Sequence, residues 1–310
     1  MRRHPLARPA CTLAALLALT ALGFAAEPAR PPSASERLKE RVLRMTELFD
    51  TMLPGVLEEH DITLHFTPKF SDLRDNEFFR FPIELRYGAA KRLELSGGLT
   101  PFTPNPFNHG PGHAWGPGEA KFGARYDLGR IFRIFDESTF GFQTRIPLGR
   151  PPVELNDHYT HLKPFFSAAR TFAVWPDVTF YGNLSYDRSV DLTHRAPPSS
   201  PVTRRNVIEI VPGLLFKPGQ FGYFAEYRYR HIDEEIEWYL GHEVQFGTVW
   251  DVPLKRSEKW NLPGKWQIEL AYRVRHEEGR GTDQGISTRV SWRTTLREVL
   301  DHGSKPAARR

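Results

Sequence analysis

From Asp61 almost to the end of the chain, apolar and polar residues alternate with a period of two, and no other feature restricts the fold as strongly. In one segment the apolar residues Phe79, Phe81, Ile83, Leu85 and Tyr87 alternate with Arg80, Pro82, Glu84 and Arg86. Successive side chains of a β-strand point to opposite faces, so each such segment predicts an amphipathic strand. The sequence therefore predicts an all-β fold.

About twelve segments carry the pattern, and most have roughly ten residues, the length of a tilted strand that crosses a bilayer. They are residues 62–67, 79–87, 92–102, 119–128, 139–148, 162–172, 178–188, 205–216, 221–232, 243–252, 266–276 and 286–296. A soluble β-sandwich also alternates, with its charged face toward water. Alternation alone therefore leaves open which face points inward.

Two features favour a membrane barrel. The connections around residues 88–91, 175–177 and 217–219 are short, whereas those around 103–117, 149–161 and 189–204 are long. Residues 252–265 are an exception, because they form a long connection where a short one is expected. Short turns at one end and long loops at the other are typical of outer-membrane barrels, as are Trp and Tyr residues near strand ends. We predict a transmembrane antiparallel up-and-down β-barrel of about 12 strands, preceded by a short N-terminal helix.

Residues 1–26 have the three parts of a secretory signal peptide. Arg2, Arg3 and Arg8 give a basic start, and residues 10–22 form an apolar stretch too short to span a bilayer. Small residues follow at positions 23–26. We therefore expect export to the bacterial outer membrane, with outer-membrane lipid and the barrel assembly machinery as partners.

Residues 27–60 separate this segment from the alternating region. Apolar residues recur there at spacings of three and four, and residues 33–36 resemble a capping box. The spacing predicts a helix over Ser33–Glu59 that either lies against the barrel on its periplasmic side or enters the lumen as a plug. The barrel is expected over residues 61–297, and residues 298–310 are expected to form a disordered polar tail.

Charge and cysteine content argue against a nucleic-acid-binding protein and against a disulfide-stabilised one. Without the three arginines of residues 1–26, 39 Lys and Arg oppose 37 Asp and Glu, so no basic excess indicates nucleic acid as a partner. The only cysteine, Cys11, lies in the apolar stretch, so the exported chain is expected to contain no disulfide.

Four segments resemble a known family, the outer-membrane proteins grouped under the MetA pathway of phenol degradation. Arg86–Leu95 resembles the family's tight hairpin, Gly116–Gly123 its strand start, and Val178–Tyr186 a later strand, with Ile146–Gly149 a looser match. The similarity covers residues 77 to 190. It implies a β-barrel that acts as a transporter or channel of undefined substrate.

Candidate sites of chemistry are few. His109 and His113 have the spacing of two metal ligands, but the intervening Gly110–Gly112 prevents the helix that would align them. No strand-end histidine has a serine and an acid at catalytic spacing. We therefore expect no metal, no cofactor and no enzymatic activity.

The charged face remains the candidate functional surface. If it lines a lumen, the following residues are candidates for a constriction: Arg80, Glu84, Arg86, Glu94, Glu119, Lys121, Arg125, Arg145, Glu226, Arg228, Arg273 and Arg275. An arginine-rich constriction would pass small anions, whereas a closed salt-bridge network would be structural. The first hypothesis is a channel or transport component for small polar or aromatic solutes. The alternatives are a closed barrel that presents the loops 104–115 and 193–203, and an outer-membrane hydrolase.

Overall fold

A computed structural model describes residues 47–49, 51–70, 72, 77–107, 115–131, 134–148, 155, 157–172, 174–192, 204–235, 237–253, 257 and 264–299, all within one compact unit, Leu43–Arg310. The predicted signal peptide, the first half of the predicted helix, the tail from residue 300 and most of the loops 104–115 and 193–203 lie outside the described residues. Among those described, no helix combines the length and apolar character needed to cross a membrane.

The described residues form fifteen strands, with a single helical turn after the last of them at residues 296–299. In chain order they are β1 Glu47–Leu48, β2 Thr51–Met52, β3 Asp61–Phe66, β4 Phe78–Arg80, β5 Ile83–Ala90, β6 Leu93–Pro104, β7 Gly116–Asp127, β8 Glu137–Pro147, β9 Thr160–Thr171, β10 Val178–Val190, β11 Arg205–Phe216, β12 Phe221–Glu234, β13 Trp238–Asp251, β14 Lys265–Glu277 and β15 Gly281–Thr295.

Twelve of these strands close into an antiparallel barrel, which confirms the predicted fold class and strand number. From β5 to β15 each strand pairs with the next in the chain, and β3 joins β15 to β5. The short strand β4 pairs with β6 beyond the break at Phe81 and Pro82, so β4 and β5 occupy one place in the barrel. Proline has no N–H to donate to the ladder, which accounts for the break.

The two ends of the barrel carry connections of different length. β3 begins and β15 ends at the end that holds the turns 91–92, 172–177 and 217–220, which we call the terminal end. The opposite end, called the loop end, holds the long connections 105–115, 148–159 and 191–204, together with the short connections 235–237 and 278–280. The predicted exception is also present, because residues 252–264 form a long connection at the terminal end.

The side chains divide between two faces in the opposite sense to a soluble protein. Large apolar side chains in the middle of strands are exposed on the outside, among them Leu85, Leu99, Phe122, Leu184 and Phe246. Charged residues of the alternate positions are buried inside, including Arg86, Glu94, Glu243 and Glu269. The ambiguity in the alternating pattern is thereby removed, because the apolar face of each strand points outward.

The predicted N-terminal helix is wrong for the part of it that is described. Residues 47–49 and 51–52 form the antiparallel hairpin β1–β2, and residues 53–60 return to the barrel without helix. Phe49 turns the hairpin with a φ of 48°, and Pro54 with Gly55, whose φ is 102°, excludes a continuous helix through this segment. Residues 33–46 lie outside the described residues.

The hairpin lies inside the barrel, at its terminal end. Leu48, Phe49 and Leu53 pack in one buried apolar cluster against the inward side chains Ala169, Tyr181, Phe224, Val249 and Ala271 of β9, β10, β12, β13 and β14. Phe49 and Phe224 have ring centroids 5.9 Å apart. The apolar residues that suggested an amphipathic helix thus cover an apolar patch on one side of the lumen.

Gly88 lets the chain that returns from the hairpin pass close to the barrel wall. A Cβ at this position would lie 1.9 Å from the carbonyl oxygen of Glu58. We expect Gly88→Ala to lower the free energy of unfolding by about 1–3 kcal/mol, because the backbone of Leu57 and Glu58 must shift.

The measurement is denaturant unfolding of the purified protein. Gly97→Ala on the neighbouring strand is the matched control, since its Cβ would meet only the ring of Phe122, at 3.9 Å. Equal stability of the two variants would contradict the close approach at Gly88.

Candidate functional site: the charged lumen

The hairpin is bound to the barrel through charged side chains on the side opposite its apolar cluster. The carboxylate of Glu47 forms ion pairs with both Arg86 of β5 and Arg289 of β15, and its oxygen lies 3.2 Å from Nη2 of Arg289. Arg289 also donates to the carbonyl oxygen of Phe49 and lies over the ring of the same residue at 5.5 Å. All three charged side chains are buried, so each depends on the others for neutralisation.

A second contact holds the returning chain. Glu94 of β6 accepts a hydrogen bond from the backbone N–H of Leu57 at 2.9 Å and an ion pair from Arg125 of β7 at 2.6 Å. Beside it lies a cavity of about 10 Å³, lined by Met52 of the hairpin and by barrel residues that include Arg86 and Arg125. This volume holds about one water molecule.

Thr51 connects the tip of the hairpin to β12. Its hydroxyl donates to Glu226 at 2.9 Å and accepts from Nη2 of Arg228 at 2.9 Å. The hydroxyl of Tyr181 donates to the other oxygen of Glu226 at 2.9 Å. Met52 adds its carbonyl oxygen, which accepts from the amide of Asn183 at 3.2 Å. The hairpin is therefore hydrogen-bonded to β10 and β12 as well as to β5, β6 and β15.

Arginines and carboxylates form a shared network where β11 to β14 face the lumen. Glu209 and Glu243 lie within ion-pair distance of three arginines, Arg228, Arg230 and Arg275. Lys163 approaches Glu209 at 3.2 Å from β9. Glu226 and Glu277 also lie within ion-pair distance of these arginines, so the cations of this wall are matched by carboxylates.

A third network lies at the loop end of β8 to β10. Asp187 pairs with Arg145 at 2.6 Å and with Nδ1 of His161 at 2.8 Å, and the other ring nitrogen of His161 contacts Asp157 at 2.9 Å. Burial alone would raise the pKa of Asp157, but the hydrogen bond to His161 and the charges of His161 and Arg205 lower it below its ordinary value. Asp157 therefore stays ionised and orients His161.

Exposure divides the lumen into two parts. The arginine side chains near the hairpin, Arg86, Arg125, Arg228 and Arg289, are each at most 5% exposed. Toward the loop end the side chain of Arg145 is 35% exposed and that of Arg275 is 29% exposed. Among the described residues, the hairpin thus covers the terminal half of the lumen, while water reaches the cations of the other half.

The sequence-predicted site residues mostly take part in these contacts. Ion pairs on the lumen side join Glu84, Arg86, Glu94, Lys121, Arg125, Arg145, Glu226, Arg228 and Arg275. Arg273 pairs with Asp283 near the loop end, and Glu119 accepts a hydrogen bond from Thr100. Arg80 instead binds Asp72 in the connection after β3, at 2.7 Å. Their role as a constriction stays a prediction.

Sequence reasoning did not select several residues that complete the networks. Asp187, Glu209 and Glu243 occupy the polar positions of strands already identified, so the alternation itself was a sufficient signal for them. Glu47 and Thr51 had no such signal, because they belong to the segment that was predicted to be helical.

Comparisons with known proteins support the fold. No family profile and no curated protein matches the chain, so the resemblance over residues 77–190 is not confirmed. Among solved structures, the COG4313 outer membrane channel from Pseudomonas putida F1 is similar with a TM-score of 0.50 and 9% identity, covering 81% of this chain and 100% of that one. A NanC porin structure matches with a TM-score of 0.42 and 11% identity, covering 76% and 98%.

The contacts of Thr51 lead to a prediction about hairpin docking. Thr51→Val keeps the shape of the side chain but removes both hydrogen bonds, which leaves buried groups of Glu226 and Arg228 with one partner fewer. We expect docking to weaken by about 1–3 kcal/mol. Hydrogen exchange should then be faster at the amides of Gly55 and Leu57, which are bonded to Thr139 and Glu94 in the docked hairpin.

The control for this prediction is Thr171→Val. Thr171 is exposed at the terminal end, and its hydroxyl is bonded to that of Thr179. Unchanged exchange at Gly55 and Leu57 in Thr51→Val would show that the hydroxyl does not hold the hairpin.

Proposed function

We propose that this chain is a channel or transport component of the bacterial outer membrane, exported through residues 1–26 and passing small polar or aromatic solutes through its charged lumen. One observation carries the proposal: a closed barrel exposes an apolar belt and buries its charges inside. Such a surface is stable in lipid, where closure of the sheet lets the strands satisfy their backbone hydrogen bonds with one another. Contiguous exposed apolar surface of this extent is unfavourable in water.

The partly exposed cations near the loop end are the basis for proposing the charge of the solute. The side chains of Arg145, Arg275 and Lys163 are paired with carboxylates but remain partly exposed to water there, where they can attract anions. The hairpin fills the terminal half, so we propose that passage requires the hairpin to move. The β5–β6 turn, Arg86–Leu95, is the tight hairpin of the MetA-pathway resemblance, and membership of that family is part of the proposal.

A closed barrel with a structural or interaction role is the second candidate. Its support is the same hairpin, which is bound to strands on several sides of the lumen. The two candidates differ in whether the hairpin ever leaves the lumen.

Planar-bilayer recordings distinguish them. We expect the purified full-length protein to give stepwise currents that are small and intermittent, and Thr51→Val to increase the open fraction because it loosens the hairpin. Thr171→Val should behave as the unmodified protein does. Absence of current from all three proteins across a range of salt concentrations would favour the closed barrel.

The membrane location has a separate test. Leu184 lies at the centre of β10 and is 49% exposed. In lipid, Leu184→Arg should destabilise the barrel by about 2–4 kcal/mol, the cost of a cation near the bilayer midplane. Unfolding from lipid vesicles measures this cost. Leu192→Arg, beyond the end of β10 and 65% exposed, should have little effect. Equal tolerance of both substitutions would indicate a water-facing surface.

A further inference from the structure

The ion pairs of Glu47 have the composition of a carboxylate-binding site. One carboxylate lies between two arginines that come from separate strands, Arg86 on β5 and Arg289 on β15. Planar guanidinium groups are well suited to bind carboxylates through paired hydrogen bonds. Nε of Arg289 is also fixed by the hydroxyl of Thr67, at 3.3 Å, so this arginine is held in place by the barrel itself.

The barrel alone does not supply enough negative charge for these arginines. Glu84 pairs with Arg86 at 2.8 Å but is shared with Lys121 at 2.7 Å. Glu94 lies 3.8 Å from Arg86 and 2.6 Å from Arg125. Arg289 has Glu269 at 3.9 Å. If the hairpin leaves, Glu47 leaves with it, and two buried arginines lose their closest shared carboxylate, which is strongly unfavourable.

The hairpin also places an aromatic ring beside this carboxylate. Phe49 is two residues from Glu47, its ring lies under the guanidinium of Arg289, and it packs against Phe224 in the apolar cluster. When the hairpin is withdrawn, the two arginines face an apolar patch made of Ala169, Tyr181, Phe224, Val249 and Ala271 across the space that the ring of Phe49 filled. A molecule with a carboxylate and an apolar body would restore both sets of contacts.

We propose that Arg86 and Arg289, with the apolar patch that faces them, form a binding site for a small aromatic carboxylate, and that Glu47 and Phe49 occupy this site when the hairpin is docked. Binding of the solute and docking of the hairpin then exclude each other, so the solute opens the lumen by taking the place of Glu47. This inference rests on the proposed channel function and names the class of solute and the step that admits it.

The test measures hairpin withdrawal directly. Met52 is buried in the docked hairpin, so Met52→Cys in a Cys11→Ser background should react slowly with a water-soluble maleimide. We expect 3-phenylpropionate to accelerate the labelling saturably, by about tenfold, if it replaces a charge-assisted contact. Its neutral analogue 3-phenylpropionamide, and sodium chloride at the same ionic strength, should have no such effect.

Two substitutions in the Cys11→Ser, Met52→Cys protein distinguish loss of the binding site from weaker docking of the hairpin. Glu47→Gln should raise the basal labelling rate and lower the half-maximal concentration of 3-phenylpropionate about tenfold, because the ligand competes with a weaker occupant. Arg289→Gln should raise the basal rate and abolish the response. Arg293→Gln is the matched control, four residues along β15, where the arginine pairs with Asp61 and should leave both quantities unchanged.

Equal labelling with the acid and the amide would overturn the proposal, and so would a response that persists in Arg289→Gln. The gel mobility of unheated samples shows whether each variant is folded. The comparison of 3-phenylpropionate with 3-phenylpropionamide needs neither the Glu47 nor the Arg289 substitution, so it tests the proposal even if those variants do not fold. Labelling does not depend on conductance, so a protein that responds to 3-phenylpropionate but passes no current would refute the channel and retain the site. Currents without a labelling response to 3-phenylpropionate would refute the site and retain the channel.

Discussion

The ring of backbone hydrogen bonds that closes when β6 pairs with both β5 and β7 is the constraint on which the other features depend. Closure pairs the first and last strands of the sheet with each other, and it fixes the inward or outward direction of every second side chain. The apolar positions point outward and form the exposed belt. The charged positions are therefore brought together inside, where they must be neutralised by one another, by water or by another part of the chain.

The hairpin supplies part of that neutralisation. One side of the hairpin is apolar and the other is charged, and the lumen wall near the terminal end is divided in the same way. Leu48 and Leu53 contact the apolar patch of β9 to β14, whereas Glu47 reaches the arginines of β5 and β15. Gly88 has no side chain at the place where the returning chain passes, which a Cβ would obstruct. The barrel wall and the hairpin therefore fit each other in polarity and in shape.

Much of the barrel could be predicted from the sequence because strand formation depends on local alternation. The twelve strands, the long connections at one end and the exception at residues 252–264 all follow from patterns within about fifteen residues. The sequence did not show which face of each strand points inward. Apolar residues such as Leu184 and charged residues such as Arg86 would alternate with their neighbours in the same way in a soluble sheet. Only closure shows that Leu184 is outside and Arg86 inside.

Predictions failed where the outcome depends on distant partners. The apolar residues of the hairpin recur at helical spacing, but in the extended form they contact strands more than a hundred residues away, and a local pattern does not show those contacts. Ion-pair partners are equally unreadable, because they depend on the tilt and stagger of the strands. Glu47 and Arg289 are paired across 242 residues, and Arg80 binds Asp72 rather than a residue across the lumen.

The same burial that holds the hairpin in place makes its movement selective. A buried arginine that loses its carboxylate is left as an uncompensated charge, so spontaneous withdrawal of Glu47 is disfavoured even though no covalent bond retains it. A neutral solute does not remove that cost, because it leaves Arg86 and Arg289 without a counter-charge. A carboxylate does remove it. In such a lumen one interaction therefore keeps the barrel closed in the absence of solute and distinguishes the solute that opens it.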